Sequence, residues 1–402
     1  MLSDARNEFS INFVVDYLKA MKFTHCFLAV LLLAASLTAC REPEDTDPSV
    51  KTEVGGGNAG DIYGFFLLNE GNMGSNKCTL DFYDYLSGIY SKNIFPERNP
   101  EIVQELGDVG NDIGIYGTKL WVVVNCSNLV EVIDVRTGWH VDQISIPNCR
   151  SLAFGNGCVY VSSYAGPVEL DPNYRLGYVA QIDTSSLEIR DTCTVGYQPE
   201  EMAIVGDKLY VANSGGYRVP DYDNTISVID LHIFRETQKI EVAPNLHRME
   251  ADNYGNIWVS SRGDYYDIPS MTYVIDSKTN SVVDVLDLLA CTDMTLCGDS
   301  LYVYSNAWNY FTQTSDINYA IVDVKTHEVL TRNFITDGTE QQIKNPYGIA
   351  VNPNTHEIFV TDARDYVTPG KVYCFSPEGK LKWSANTGDI PSRIVFTHTP
   401  LL

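Results

Sequence analysis

Positive charge is scarce in this chain: 28 lysines and arginines stand against 52 aspartates and glutamates, a net charge of -24 over 402 residues. Nucleic acid and anionic membrane surfaces are recognised through basic patches, so this balance argues against both as partners. Ligand sets for common metal modules are missing as well. None of the ten cysteines stands in a CxxC or CxxCH arrangement, which removes zinc ribbons and c-type haem. Histidine is sparse, with 7 copies, and no nucleophile, base and orienting partner can be assembled around any of them from spacing alone. Long apolar runs are absent too: the stretch from Cys26 to Leu37 has only about a dozen residues, where a membrane-spanning helix needs roughly 20.

That short run has another use. Met21-Lys22, the apolar stretch and Leu37-Thr38-Ala39-Cys40 together resemble a bacterial lipoprotein signal with its lipobox, which implies cleavage before Cys40 and acylation of that cysteine. An uncleaved helix is the alternative, and its run is too short. On this reading residues 1–20 lie upstream of the true start, 21–39 are the signal peptide and 40–60 form an acylated flexible tether containing Gly55-Gly56-Gly57. The segment Arg41-Glu42-Pro43-Glu44-Asp45-Thr46-Asp47 is similar to the acidic export signals of surface lipoproteins in Gram-negative gut anaerobes. The resemblance implies the outer face of the outer membrane, with membrane contact through the lipid anchor only.

Residues 61–400 are organised by a repeat of about 40 to 50 residues, the period of a propeller blade. Its clearest copy has an opening strand near Pro199-Glu200-Glu201-Met202, then Gly206-Asp207, then Lys208-Leu209-Tyr210-Val211-Ala212-Asn213, a long loop, and Thr225-Ile226-Ser227-Val228-Ile229-Asp230. The phrase recurs at Lys119-Leu120-Trp121-Val122, Cys158-Val159-Tyr160-Val161, Asn256-Ile257-Trp258-Val259, Ser300-Leu301-Tyr302-Val303 and Glu357-Ile358-Phe359-Val360. Each unit reads as four short β-branched and aromatic strands separated by turn residues. The ends supply two halves of a further unit: Gly64 to Ile94 lacks an opening strand, and Ile390 to Phe396 is an opening strand with nothing after it. The expected fold is therefore all-β, a seven-bladed β-propeller closed by N- and C-terminal strands that share one blade. The Tyr-Val-Ala-Asn phrase and its cousins resemble YVTN and NHL-type repeat propellers, a resemblance that specifies fold rather than function.

In such a ring the loops from second to third strands open on the same face as the blade-to-blade crossings. Long loops on a rigid scaffold are where binding is normally built. The candidates are Tyr164 and Tyr174 (third blade), Tyr217 and Tyr222 (fourth), Arg262, Tyr265 and Tyr266 (fifth), Asn306, Trp308, Tyr310 and Phe311 (sixth), and Arg364 and Tyr366 (seventh). The crossings add Asn111-Asp112, Arg150, Glu200-Glu201, His247-Arg248, Asp293 and Tyr347, of which His247 and Arg248 join the candidate site. Aromatic rings give large contact area at low entropic cost, so a rim of them reads as a ligand surface; the alternative for each one is loop packing. Cys126 with Cys149 and Cys291 with Cys297 are conceivable disulfides, and small buried thiols are the other reading. No metal or catalytic residue is assigned, although Asp112, Glu200, Glu201 and Asp293 are spaced permissively for a channel cation of the kind lactone-hydrolysing propellers use.

Lipobox, acidic leader, seven blades and aromatic loops together resemble the propeller lipoproteins that partner TonB-dependent outer-membrane transporters. The resemblance implies a small-molecule ligand, cobalamin or another nutrient, bound rather than turned over and passed to such a transporter, with no resident cofactor. A surface glycan binder and a metal-dependent lactonase are the alternatives. Replacing Cys40 by Ser is expected to abolish acylation and leave the chain unanchored, which radiolabelled palmitate and membrane fractionation would check.

Overall fold

A computed structural model describes residues 50–102, 105–167, 170, 174–286, 289–309 and 314–402. The assigned signal, Cys40, Tyr310 and Phe311 lie outside the described residues.

The repeated apolar phrases form strands buried on both faces. In strand Gly64–Asn69, Phe65 and Leu67 pack with Phe359, Val372 and Cys374, whereas Phe66 and Leu68 pack with Leu120, Val122 and Val124. Alternate side chains of one strand thus enter two different inter-blade cores, the consequence of a period of two in a sheet covered on both sides. Burial of such side chains stabilises by about 1.5–3 kcal/mol each.

The described strands form seven antiparallel sheets. Six have four consecutive strands, and the seventh joins the C-terminal strand Pro391–Thr397 to Gly64–Asn69, Thr79–Asp84 and Ile89–Ser91. The seven-bladed propeller with a shared closing blade is therefore the observed fold, its closure held by the pairs Phe65↔Phe396 and Leu67↔Ile394. One expectation needs correction. Lys51–Glu53, read from the sequence as tether, pairs with Ser91–Ile89 as a fifth strand on the shared blade. The local cause is backbone: Ile89–Ser91 is an edge with unpaired groups, and hydrogen bonds from Val54 N to Gly88 O and Gly57 N to Tyr85 O hold the chain along it.

The recurrent aspartate that ends the third strand is a turn device. Asp134, Asp183, Asp230 and Asp323 each accept backbone N–H groups two and three residues on, and a left-handed residue follows at Gly138, Leu187, Phe234 and His327. This is a type I turn closed by a bulge, which sets the twist of each outer hairpin. All cysteines among the described residues, including Cys126, Cys149, Cys291 and Cys297, are free thiols, so neither conceivable disulfide is formed.

The crossing into several blades also uses a left-handed residue: Asn148, Gln198 and Asn245, but Val109 and Ile390 on either side of the shared blade. A β-branched side chain there is strained by roughly 1–2 kcal/mol. Val109→Asn, which copies the residue at two equivalent crossings, is expected to raise unfolding free energy by about 1 kcal/mol in a urea titration.

Candidate functional site

The inner strand of nearly every blade carries an irregularity just after its start: between Gly110 and Asp112, Cys149 and Leu152, Pro199 and Met202, Leu246 and Met249, Pro346 and Ile349, and opposite Leu68 and Asn69 in the closing strand. An extra residue at a bulge re-aims side chains. Hydroxyls of the neighbouring strand satisfy the freed backbone: Ser162 accepts from Ser151 N and donates to Glu200 O, and Ser260 accepts from Arg248 N. The bulges gather Asp112, Arg150, Glu200, Glu201, Arg248, Asp293 and Arg393 into one ionic system at the channel.

It has two tiers. In the upper, Glu200 lies between Arg150 at 3.5 Å and Arg262 at 3.6 Å, and accepts from Tyr164 Oη at 2.5 Å. Arg150 stacks over the Tyr164 ring at 4.7 Å. Burial works to raise the Glu200 carboxyl, but Arg150 and Arg262 outweigh it and hold the group below its usual range. His247 is buried and its Nε2 accepts from Arg262 at 2.7 Å. Burial and then Arg262 keep the imidazole neutral, well below its ordinary pKa. In the lower tier Arg248 bonds Glu201 at 2.7 Å and Asp293 at 3.1 Å, and Arg393 meets Asp293 at 3.2 Å, Glu201 and, at 3.9 Å, Asp112. Beside them Tyr347 donates to Glu70 at 2.9 Å, and burial pushes that carboxyl up to about 7.

The four crossing carboxylates read as a permissive cation ring are thus interleaved with arginines, and among the described residues no three acidic, histidine or cysteine side chains are grouped to hold a metal ion. His247, the candidate nearest chemistry, spends its Nε2 lone pair on Arg262. Arg393 is the member of this channel cluster that spacing arguments overlooked. Its signal was available: it stands two residues after Pro391, as Glu201 stands two after Pro199 and Arg248 two after Leu246.

The loop candidates divide. Tyr164 and Tyr174 are buried, and Tyr174 donates to Pro167 O, so these two pack loops and support charges instead of lining an open rim. Tyr217 is half-buried edge-on to Tyr164, and Tyr222 half-buried edge-on to Tyr265. Tyr265, Tyr266 and Tyr366 are 43%, 69% and 39% exposed. Arg364 is half-buried and donates to Pro369 O at 3.2 Å. Asn306 bridges to Asn345 at 3.2 Å. The sixth blade departs from expectation: the anticipated loop is largely an antiparallel ribbon, with Ser300–Asn309 pairing Thr314–Asp323 throughout, so Asn306 and Trp308 sit on a strand. Alternating polar and apolar residues such as Ser305-Asn306-Ala307-Trp308 and Asp316-Ile317-Asn318 extend a ladder as readily as they form a loop.

The exposed tips are pinned. Asp264 accepts from the backbone N–H of Tyr266, Asp267 and Ile268 at 2.8–2.9 Å. Asp365 accepts from Val367 and Thr368 N–H, and these bonds bring its carboxyl down to about 2.

Elevated carboxyls in the channel make stability pH-dependent. Glu70 is raised to about 7 and Glu250 to about 8, in each case first by burial. A carboxyl raised on folding binds more protons in the native state, so its contribution is full below the unfolded value and is lost as pH climbs through the folded one. Relative to the double variant Glu70→Gln with Glu250→Gln, the wild-type protein is therefore expected to lose stability steadily from about pH 4.5 to about pH 8, measured by urea unfolding at several pH values.

Solved structures with this fold include hydrazine synthase of Kuenenia stuttgartiensis, at 17% identity and TM-score 0.54 over 67% of this chain and 77% of that one. A hypothetical selenium-binding protein from Sulfolobus tokodaii is similar at 10% identity and TM-score 0.58, over 84% and 94% of the two chains. At such identities the likeness is one of fold alone. No curated protein matches the sequence. A sequence family described as a domain of unknown function, DUF5074, matches residues 63–396, and the chain belongs to that family.

Proposed function

We propose that the long-loop face captures a broad, largely apolar small molecule, with cobalamin the leading occupant, and that the protein does so as an outer-surface lipoprotein that passes its ligand to a TonB-dependent outer-membrane transporter. One observation carries the reading: Tyr265, Tyr266 and Tyr366 stay solvent-exposed on loop tips that carboxylates hold in place. Exposed aromatics on rigid loops make contact without a large ordering cost, which is the property of a prepared binding surface. Arg262, with about a third of its side chain exposed, offers a polar handle toward the channel. A corrin disc fringed with amides would lay apolar area on the tyrosines and present its amides to such handles.

The reading assigns binding and no turnover. In the upper tier each acidic, basic or imidazole group is already committed to a neighbour, and a general base needs a free lone pair within reach of substrate.

Titration of the purified protein with cyanocobalamin is expected to give saturable heat and a red co-eluting complex. Tyr265→Ala combined with Tyr366→Ala should weaken capture by more than about tenfold while leaving the melting temperature unchanged. No binding at roughly 100 μM would reject cobalamin, and binding of an oligosaccharide panel in its place would move the assignment to a glycan.

A further inference from the structure

Below the ionic tiers the channel opens into a cavity of about 350 Å³. Its lining mixes charged groups with apolar side chains, Ile113, Leu296, Ile349 and Phe396, contributed by different inner strands, and Pro353 places its outlet on the face of the short turns, opposite the long loops. An engineered apolar cavity of about 150 Å³ holds a benzene molecule, so the volume here admits an aromatic ring with a short polar arm.

Three charged side chains reach this cavity: Asp112, Arg393 and Glu250. Arg393 is already shared by Asp293, Glu201 and Asp112, and Asp112 also accepts from Ile113 N and Leu152 N. Glu250 differs. Among the described residues no side chain donates to its carboxylate, and its charged neighbours of consequence, Asp293 and Asp112, are acidic. Of the three, Glu250 is therefore the carboxyl that, among the described residues, has no basic side chain within salt-bridge distance. We infer that the lower channel is a second ligand site, independent of the long-loop face, which takes a small organic monocation: an ammonium head on Glu250 and an apolar body against Ile113, Leu296 and Ile349.

The same surroundings tie occupancy to pH. Asp112 on the second blade, Glu201 on the fourth, Asp293 on the sixth, Arg393 on the closing strand and Arg248 on Glu250's own strand are the charged groups around it, and Asp293 is itself raised to about 6. Burial with Asp293 and Asp112 pushes Glu250 up to about 8, so an entering cation completes its ionisation and releases a proton.

Three probes share one body and differ in the head: phenethylammonium, 2-phenylethanol and phenylacetate. Calorimetric titration of the full protein at about pH 8.5 is expected to show the ammonium binding at least about tenfold tighter than the other two. Its affinity should fall by about tenfold on lowering the pH to about 6.5. Glu250→Gln, nearly isosteric, should erase the preference for the ammonium without lowering the melting temperature, and Val395→Phe, which fills the cavity, should block it altogether. Equal binding of the three probes, no saturable binding at about 10 mM, or ammonium binding untouched by both variants would overturn the proposal. Tyr265→Ala with Tyr366→Ala leaves this site intact, so failure here and failure of the long-loop reading are told apart.

Discussion

Everything in this molecule depends on one ladder of backbone hydrogen bonds, the pairing of Gly64–Asn69 with Pro391–Thr397 that joins opposite ends of the chain. Without it the shared blade loses its inner strand, Phe65 and Leu67 lose the cover of Phe396 and Ile394, and the inner strands no longer surround a channel. A propeller is a ring of sheets whose cores lie between neighbours, so an opening at one joint exposes two apolar faces at once. Close approach at the same joint accounts for Gly348, where a β-carbon would collide with the Ser392 carbonyl.

Closure also concentrates charge. Seven inner strands converge on one axis, and the bulge after the start of most of them turns a charged or polar side chain inward. In an acidic protein the arginines that meet there are not surplus: Arg150, Arg248, Arg262 and Arg393 are each matched by a carboxylate within salt-bridge distance. Buried ion pairs of this kind add little net stability against an apolar alternative, while removal of a single partner is costly. Their consequence here is positional. They divide the channel into an upper mouth beneath the long loops and a lower cavity where, among the described residues, Glu250 has no basic partner.

Much of the fold was legible because it rests on local patterns. The Ile-Asp phrases announced the third strand, and they are local because Asp134 and Asp183 bond their own following N–H groups and need no distant partner. The blade count followed from the half-repeat at each end. The candidate face was legible only in part. A tyrosine in a long loop has the same sequence appearance whether it is buried like Tyr164, which serves Glu200, or exposed like Tyr266. Likewise the Ser-Ser that ends two second strands read as ordinary strand sequence, although Ser162 and Ser260 hold the bulges that aim the channel charges.

The sequence alone determined the class of fold, the ring closure and most of the loop positions, the sixth blade apart, because strand periodicity, turn chemistry and repeat length act over a few residues. Only the tertiary structure decided which arginine meets which carboxylate, that His247 is neutral against Arg262, that the sixth blade projects a ribbon, and that Glu250 lines a cavity with no basic side chain, among the described residues, within salt-bridge distance of it. Those outcomes depend on distances between side chains far apart in the chain, and such distances exist only once the ring has closed.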